Sequence, residues 1–110
     1  MAAIMGVGQI IAYSARKSGI LGIMKSLVAE LAPQNVRVNA IAPGWIDTPM
    51  FRQAVANDPE RKQKIMNRIP SKTVGDPAVI GNACIYLSSD VGKYANGIFL
   101  PVDRGAAIGF

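Results

Sequence analysis

The sequence predicts an α/β chain, two short strands set among three to four helices. Three observations predict it. A long apolar run with helical spacing ends at Pro33. A β-branched run, Val36–Ala42, is stopped by Pro43-Gly44. A second helix-then-strand pair, residues 76–88 and Ile98–Val102, follows near the end of the chain.

Taken in order, residues 13–32 form the first helix. Ile20, Leu21, Met24, Leu27, Val28 and Leu31 recur at helical spacing and make one broad apolar face. Gly19 and Gly22 each cost about 1 kcal/mol against alanine inside a helix, so they suggest close approach of another helix or of a ligand. Pro33 ends the run, because the residue before a proline is pushed out of the helical region. Val36–Ala42 then reads as a buried strand of a parallel sheet.

Residues 49–72 differ in character. They are rich in charge and amide and are broken by Asp58-Pro59 and Ile69-Pro70. Two short helices are expected, the second capped by Asp58 with Pro59 at its first position. A segment of this length between core elements often serves as an active-site lid. Asp76-Pro77 repeats the capping pattern and starts a helix whose Ile80, Ala83, Cys84 and Leu87 share a face. Ile98–Val102 is the last strand. Pro101 lacks a ladder donor, which suits an edge. Two strands do not make a stable sheet domain alone, so the chain is expected to be part of a larger sheet.

Composition narrows the function classes. The 110 residues carry 12 Lys+Arg and 7 Asp+Glu, a net charge of +5, and half of them are apolar. The cations are dispersed and no nucleic-acid motif is present, so nucleic acid is not an expected partner. No run of about 18 apolar residues marks a membrane span, and no basic stretch precedes an apolar core as in a signal peptide. The expectation is a cytoplasmic chain. Its one cysteine, Cys84, is expected as a buried thiol. With no histidine and one cysteine, neither a zinc site nor a Ser-His-Asp triad is expected.

The chemistry centres on Tyr13 and Lys17. Four residues apart on a helix, they share one face. A lysine cation beside a phenol favours the charged form of that phenol. A tyrosine so placed can exchange a proton with a carbonyl or alcohol oxygen. Alone the pair is weak evidence, since such spacings arise by chance. Pro43-Gly44 alone reads as an ordinary turn. Trp45, next to it, either packs or lines a substrate pocket. Arg52, Arg61, Lys62, Lys64, Arg68 and Lys72 form either a solvated helix face or an attraction for an anionic substrate.

The order of the blocks adds to this reading. "YSARK", the apolar helix, "VRVNAIAPG", "WIDTP", the charged segment, "DPAVIGNACIYLSSD" and "NGIFLPVDRG" follow one another along nearly the whole chain. This resembles the short-chain dehydrogenase/reductase family. The resemblance implies the C-terminal part of a Rossmann-like doubly wound parallel sheet, with the first half absent. It also implies hydride transfer between NAD or NADP and a small-molecule carbonyl or alcohol. By position, Tyr13 resembles the catalytic acid/base, and Lys17 the residue that promotes its ionisation and holds the nicotinamide ribose. Pro43, Gly44, Ile46 and Thr48 match the loop that contacts the nicotinamide, with Trp45 toward substrate. The wording of the lid and of the chain's end looks most like members acting on sugar acids such as gluconate.

Within the family plan, residues 1–48 hold the Tyr-Lys helix, the first strand and the nicotinamide loop, 49–72 the lid, and 73–110 the last helix and strand. One departure is Arg104, where the family has glycine. A left-handed conformation there would strain it by about 1–2 kcal/mol. The family's glycine-rich phosphate turn, catalytic Asn and catalytic Ser do not occur in these residues, and the serine's place falls just ahead of Met1. The expectation is therefore a truncated chain, inactive alone, with Met1 an internal methionine of a longer enzyme. Homo-oligomerisation, aggregation or partial disorder is expected, from the Tyr-Lys helix that pairs with its copy in the family and from an unpaired apolar strand edge. The alternative is a non-catalytic remnant acting as an oligomerisation or interaction module.

Overall fold

The computed structural model describes residues 10–108. In it the chain runs α1 (Ile11–Leu31), β1 (Ala40–Pro43), α2 (Pro49–Val55), α3 (Pro59–Arg68), α4 (Pro77–Ser88) and β2 (Phe99–Val102). The expected α/β order, with a two-stranded parallel sheet and a pair of short helices between, is the observed one. The opening residues 1–9, which carry the expectation about Met1, lie outside the described residues.

Local chemistry accounts for each element. α1 gives way to a short 3-10 turn at Ala32–Gln34 once Pro33 enters, and Asn35 closes it at φ 60°. Three helices share one start signal: Thr48, Asp58 and Asp76 accept from the backbone N–H of Phe51, Arg61 and Ala78, each with a proline just inside. Such a cap satisfies an N–H that the helix itself leaves open, and proline forfeits nothing there.

β1 and β2 pair in parallel, Ala40 opposite Phe99 and Pro43 opposite Val102. The Ala40 N–H donates to Ile98 (2.8 Å) and the Gly44 N–H to Val102 (3.0 Å), so the even-numbered residues of β2 face β1. Alternation then turns position 101 to the far edge, where Pro101 costs no ladder bond.

The first strand is shorter than the expected Val36–Ala42. Ahead of Ala40 the ladder gives way to side-chain bridges. Asn96 Oδ1 accepts the Val38 N–H (2.9 Å), and Asn39 Oδ1 accepts the Ile98 N–H (2.9 Å). Asn39 Nδ2 donates to the Ala95 carbonyl. Arg37 reaches the carbonyls of Leu87 (2.6 Å) and Ala95 (3.0 Å). One backbone bond remains, the Gly97 N–H to the Val38 carbonyl (2.9 Å), and the other ties of this segment to residues 87–98 are made by side chains.

Burial is sparse and local. Met24, Ala42, Ile69, Leu87 and Ala106 are the buried apolar residues. On α1 the named face is mostly covered, with Met24 buried, Leu21, Leu27, Val28 and Leu31 half-buried and Ile20 exposed, while Ile23, off that face, is exposed. A Cβ built on Gly19 or Gly22 meets nothing within 4 Å among the described residues. Cys84 corrects another expectation: it is exposed. α4 turns Leu87 inward, while Ile85 and Tyr86 beside Cys84 are uncovered too. Helical spacing named a shared face but not how little of it this chain covers.

Candidate nicotinamide loop and Tyr-Lys helix

The loop leaving β1 is fixed on two sides. Gly44 continues the ladder to Val102, and a Cβ built on it would lie 2.7 Å from both Cα and Cβ of Asp103. No side chain fits that gap, so a glycine is required. Beyond it, the Trp45 carbonyl accepts the Gly75 N–H (2.9 Å), and the Asp47 N–H donates to the Gly75 carbonyl (2.8 Å). These bonds form a parallel bridge between Ile46 and Gly75. A Cβ built on Gly75 would come 2.8 Å from Ile46 Cδ1, the far end of a side chain that can turn aside.

This bridge fixes which groups remain free. Trp45 and Asp47 spend their polar groups on Gly75, so Ile46 presents its own N–H and carbonyl on the opposite side of the loop. The Ile46 carbonyl takes the Thr48 N–H (2.9 Å). Its N–H has no protein acceptor among the described residues. That N–H is therefore open to a hydrogen-bond acceptor on a ligand. The Thr48 hydroxyl accepts from Phe51 (3.2 Å) and thereby anchors α2 directly after the loop.

Asp47 and Arg52 form a two-pronged pair, with Nε and Nη2 each 2.8 Å from a carboxylate oxygen. The Arg52 hydrogen bond and charge hold the Asp47 carboxyl below its ordinary range. Arg52, read from sequence among dispersed cations, is thus already paired and its charge neutralised locally.

Tyr13 and Lys17 lie on the first two turns of α1, with Tyr13 43% exposed. The Lys17 ammonium stands 5.4 Å from the Tyr13 ring centre, and the Arg16 guanidinium stands 5.6 Å from it. Both cations are in reach of the ring's negative face. The expected shared face is present, with Arg16 as a second cation that the i, i+4 spacing did not single out. Among the described residues no hydrogen bond or ion pair joins Tyr13 or Lys17 to the loop. A cavity of about 370 Å³ beside the loop is lined by Trp45 and Ile46, together with Val79, Asp103 and Arg104. Tyr13 and Lys17 do not line it. The structure therefore gathers Gly44, Trp45, Ile46 and Thr48 in one place and leaves the Tyr-Lys helix as a separate surface.

Sequence reasoning missed Asp103 as the wall against Gly44, and Arg37, Asn39 and Asn96 as the ties that hold β1. The one available signal was asparagine inside an apolar strand run, where a polar side chain needs a partner.

A parallel pair with a glycine-dependent loop at its carboxyl end is an α/β arrangement of the kind whose ligands bind beyond the strand ends. Comparison with known proteins makes the class specific. The family model described as enoyl-(acyl carrier protein) reductase matches residues 1–107. The chain belongs to the short-chain dehydrogenase/reductase family. It is 38% identical over 104 residues to the 3-oxoacyl-[acyl-carrier-protein] reductase MabA of Mycobacterium tuberculosis, covering 94% of this chain and 41% of that one. To the FabG reductase of Aquifex aeolicus it is 43% identical over 99 residues, 90% of this chain and 38% of the relative. Among solved structures, an Agrobacterium tumefaciens protein described as a 2-deoxy-D-gluconate 3-dehydrogenase, with bound NADP, superposes with a TM-score of 0.90 at 36% identity. That match covers 97% of this chain and 43% of the other. The chain thus spans about two-fifths of the length of these relatives.

Proposed function

We propose that this chain supplies the proton-transfer and nicotinamide-contacting part of an NAD(P)-dependent oxidoreductase. In this reading Tyr13 gives a proton to a carbonyl oxygen, or takes one from an alcohol. Lys17, whose ammonium lies over the Tyr13 ring, holds the nicotinamide ribose. Pro43 and Gly44 turn the chain so that the Ile46 N–H holds the carboxamide, and Thr48 fixes the loop to α2. Trp45 borders the substrate. The nicotinamide, when bound, supplies or accepts the hydride.

The observation that carries this reading is the Ile46 N–H, left without an acceptor while its neighbours are locked onto Gly75. The substrate class we propose is a sugar acid, supported by likeness to two solved proteins described as acting on gluconates, with TM-scores of 0.90. The one described in the Beutenbergia cavernae structure is 33% identical. NADP is bound in both of those structures.

These 110 residues contain no glycine-rich phosphate turn and no partner serine for Tyr13, so by themselves they are expected not to turn over substrate. The test is complementation. The front part of the Agrobacterium protein, co-expressed with this chain, restores NADP-dependent oxidation, and Tyr13→Phe abolishes it. Restored activity that survives Tyr13→Phe would overturn the assignment.

A second reading, an oligomerisation module, is favoured by exposed apolar side chains on two helices. Ile23 is 60% and Ile85 65% exposed. Association with further copies of the chain follows if these faces pair. Among the described residues no helix is long and apolar enough to cross a membrane. Size-exclusion with light scattering checks it: a species larger than a monomer, reduced by Ile85→Glu, is expected, and a clean monomer contradicts it.

A further inference from the structure

Two of the best-buried residues, Ile69 at 2% and Ala106 at 0% exposure, lie on segments that meet. One is the exit of the α2–α3 segment. The other is the turn after β2. A Cβ built on Gly105 would stand 3.4 Å from Pro70 Cγ, in van der Waals contact.

Each side of this junction holds a non-glycine residue in the left-handed region, Lys72 at φ 54° and Arg104 at φ 53°. Glycine would adopt that conformation without strain. An arginine kept there is explained by what its side chain reaches. Arg104 Nη1 donates to Thr73 Oγ1 at 2.6 Å and lies 3.4 Å from Ser71 Oγ. The two hydroxyls are 3.1 Å apart. The left-handed Lys72 between them curls the backbone so that both face the guanidinium. The curl is held by Lys72 N to the Ile69 carbonyl (2.9 Å) and by Lys72 Nζ to the Asn67 carbonyl (3.0 Å).

The same turn touches the loop after β1. Asp103, next to Arg104, packs its Cα and Cβ against Gly44, and its carboxylate takes the N–H groups of Gly105 and Ala107. One short turn therefore meets the Gly44 loop with one residue and the segment's exit with the next.

We propose that Arg104 is a positioning residue, a clasp that fixes the exit of the α2–α3 lid relative to the nicotinamide loop. The proposal rests on the reading of residues 49–72 as a lid over that loop. Glycine at 104 leaves the turn relaxed but lets the lid's exit move independently of the loop.

Amide hydrogen exchange on the full chain tests it. Arg104→Gly relieves the backbone strain, so a purely conformational role leaves exchange unchanged or slower. The clasp instead gives about fivefold faster exchange in residues 63–73, the loss of one modest hydrogen bond, with residues 77–88 unaffected. Thr73→Val, which keeps the shape and removes the acceptor, reproduces the effect, and the double variant adds nothing to it. Arg104→Lys recovers part of the protection. Unchanged exchange in 63–73, a uniform rise along the chain, or additive single effects would overturn the clasp. Arg104→Gly that leaves NADP-dependent turnover of the complemented assembly unchanged while showing the local exchange pattern would refute the lid reading and leave the clasp standing.

Discussion

Gly44 and Asp103 pack backbone against backbone: a single added carbon at Gly44 would sit 2.7 Å from two atoms of Asp103. The contact joins the end of β1 to the turn after β2 and sets the course of the loop that carries Ile46. Gly44→Ala is expected to destabilise the chain by about 1–3 kcal/mol, the range for forcing a carbon into a filled space. Denaturant unfolding measures it, and an unchanged midpoint would show that the contact relaxes freely.

Arg37 supports a second expectation. Its guanidinium donates to the carbonyls of Leu87 and Ala95, with Ser89 at 3.5 Å. These groups are partly buried, so Arg37→Met strands them and should cost about 1–3 kcal/mol. Arg37→Lys should fall between, because an ammonium lacks the planar fork that reaches separate acceptors at once. Equal loss in both variants would argue that the shape of the group is irrelevant.

Much of this was legible from residue types. Asp58-Pro59 and Asp76-Pro77 marked helix starts that the structure places where expected, because capping is local chemistry. Thr48-Pro49 carried the same signal for α2, although sequence reasoning assigned Thr48 to the loop alone. The extent of β1 was not legible. Val36 and Val38 look like strand residues, but apart from the Gly97 N–H to the Val38 carbonyl the ties there come from Asn39, Asn96 and Arg37, whose partners lie some fifty or more positions away. Cys84 was misplaced for a related reason: spacing names a helix face, while burial depends on what packs against it. Arg104 was flagged as a departure, and its left-handed backbone was anticipated. Its bond to Thr73 depends on the fold and has no local signature.

The Asp47–Arg52 pair gives a pH dependence with a definite sign. Asp47's carboxyl titrates below its usual value when folded. Its contribution to stability is therefore present above the unfolded value of 3.8 and is lost as pH falls through the lower folded value. Both side chains meet solvent, so salt should weaken the effect. Carboxyl NMR titration is expected to show a depressed Asp47 midpoint that Arg52→Gln returns toward 3.8. A midpoint unmoved by Arg52→Gln would mean that the pair is not formed in solution.

The central claim is that the loop after β1 holds a nicotinamide through the Ile46 N–H. Amide NMR of the chain titrated with NADH tests it most directly. Saturable shifts confined to residues 44–48, largest at Ile46 and reduced by Gly44→Ala, are the expected result. No saturable shift at Ile46, or shifts only elsewhere in the chain, would contradict it.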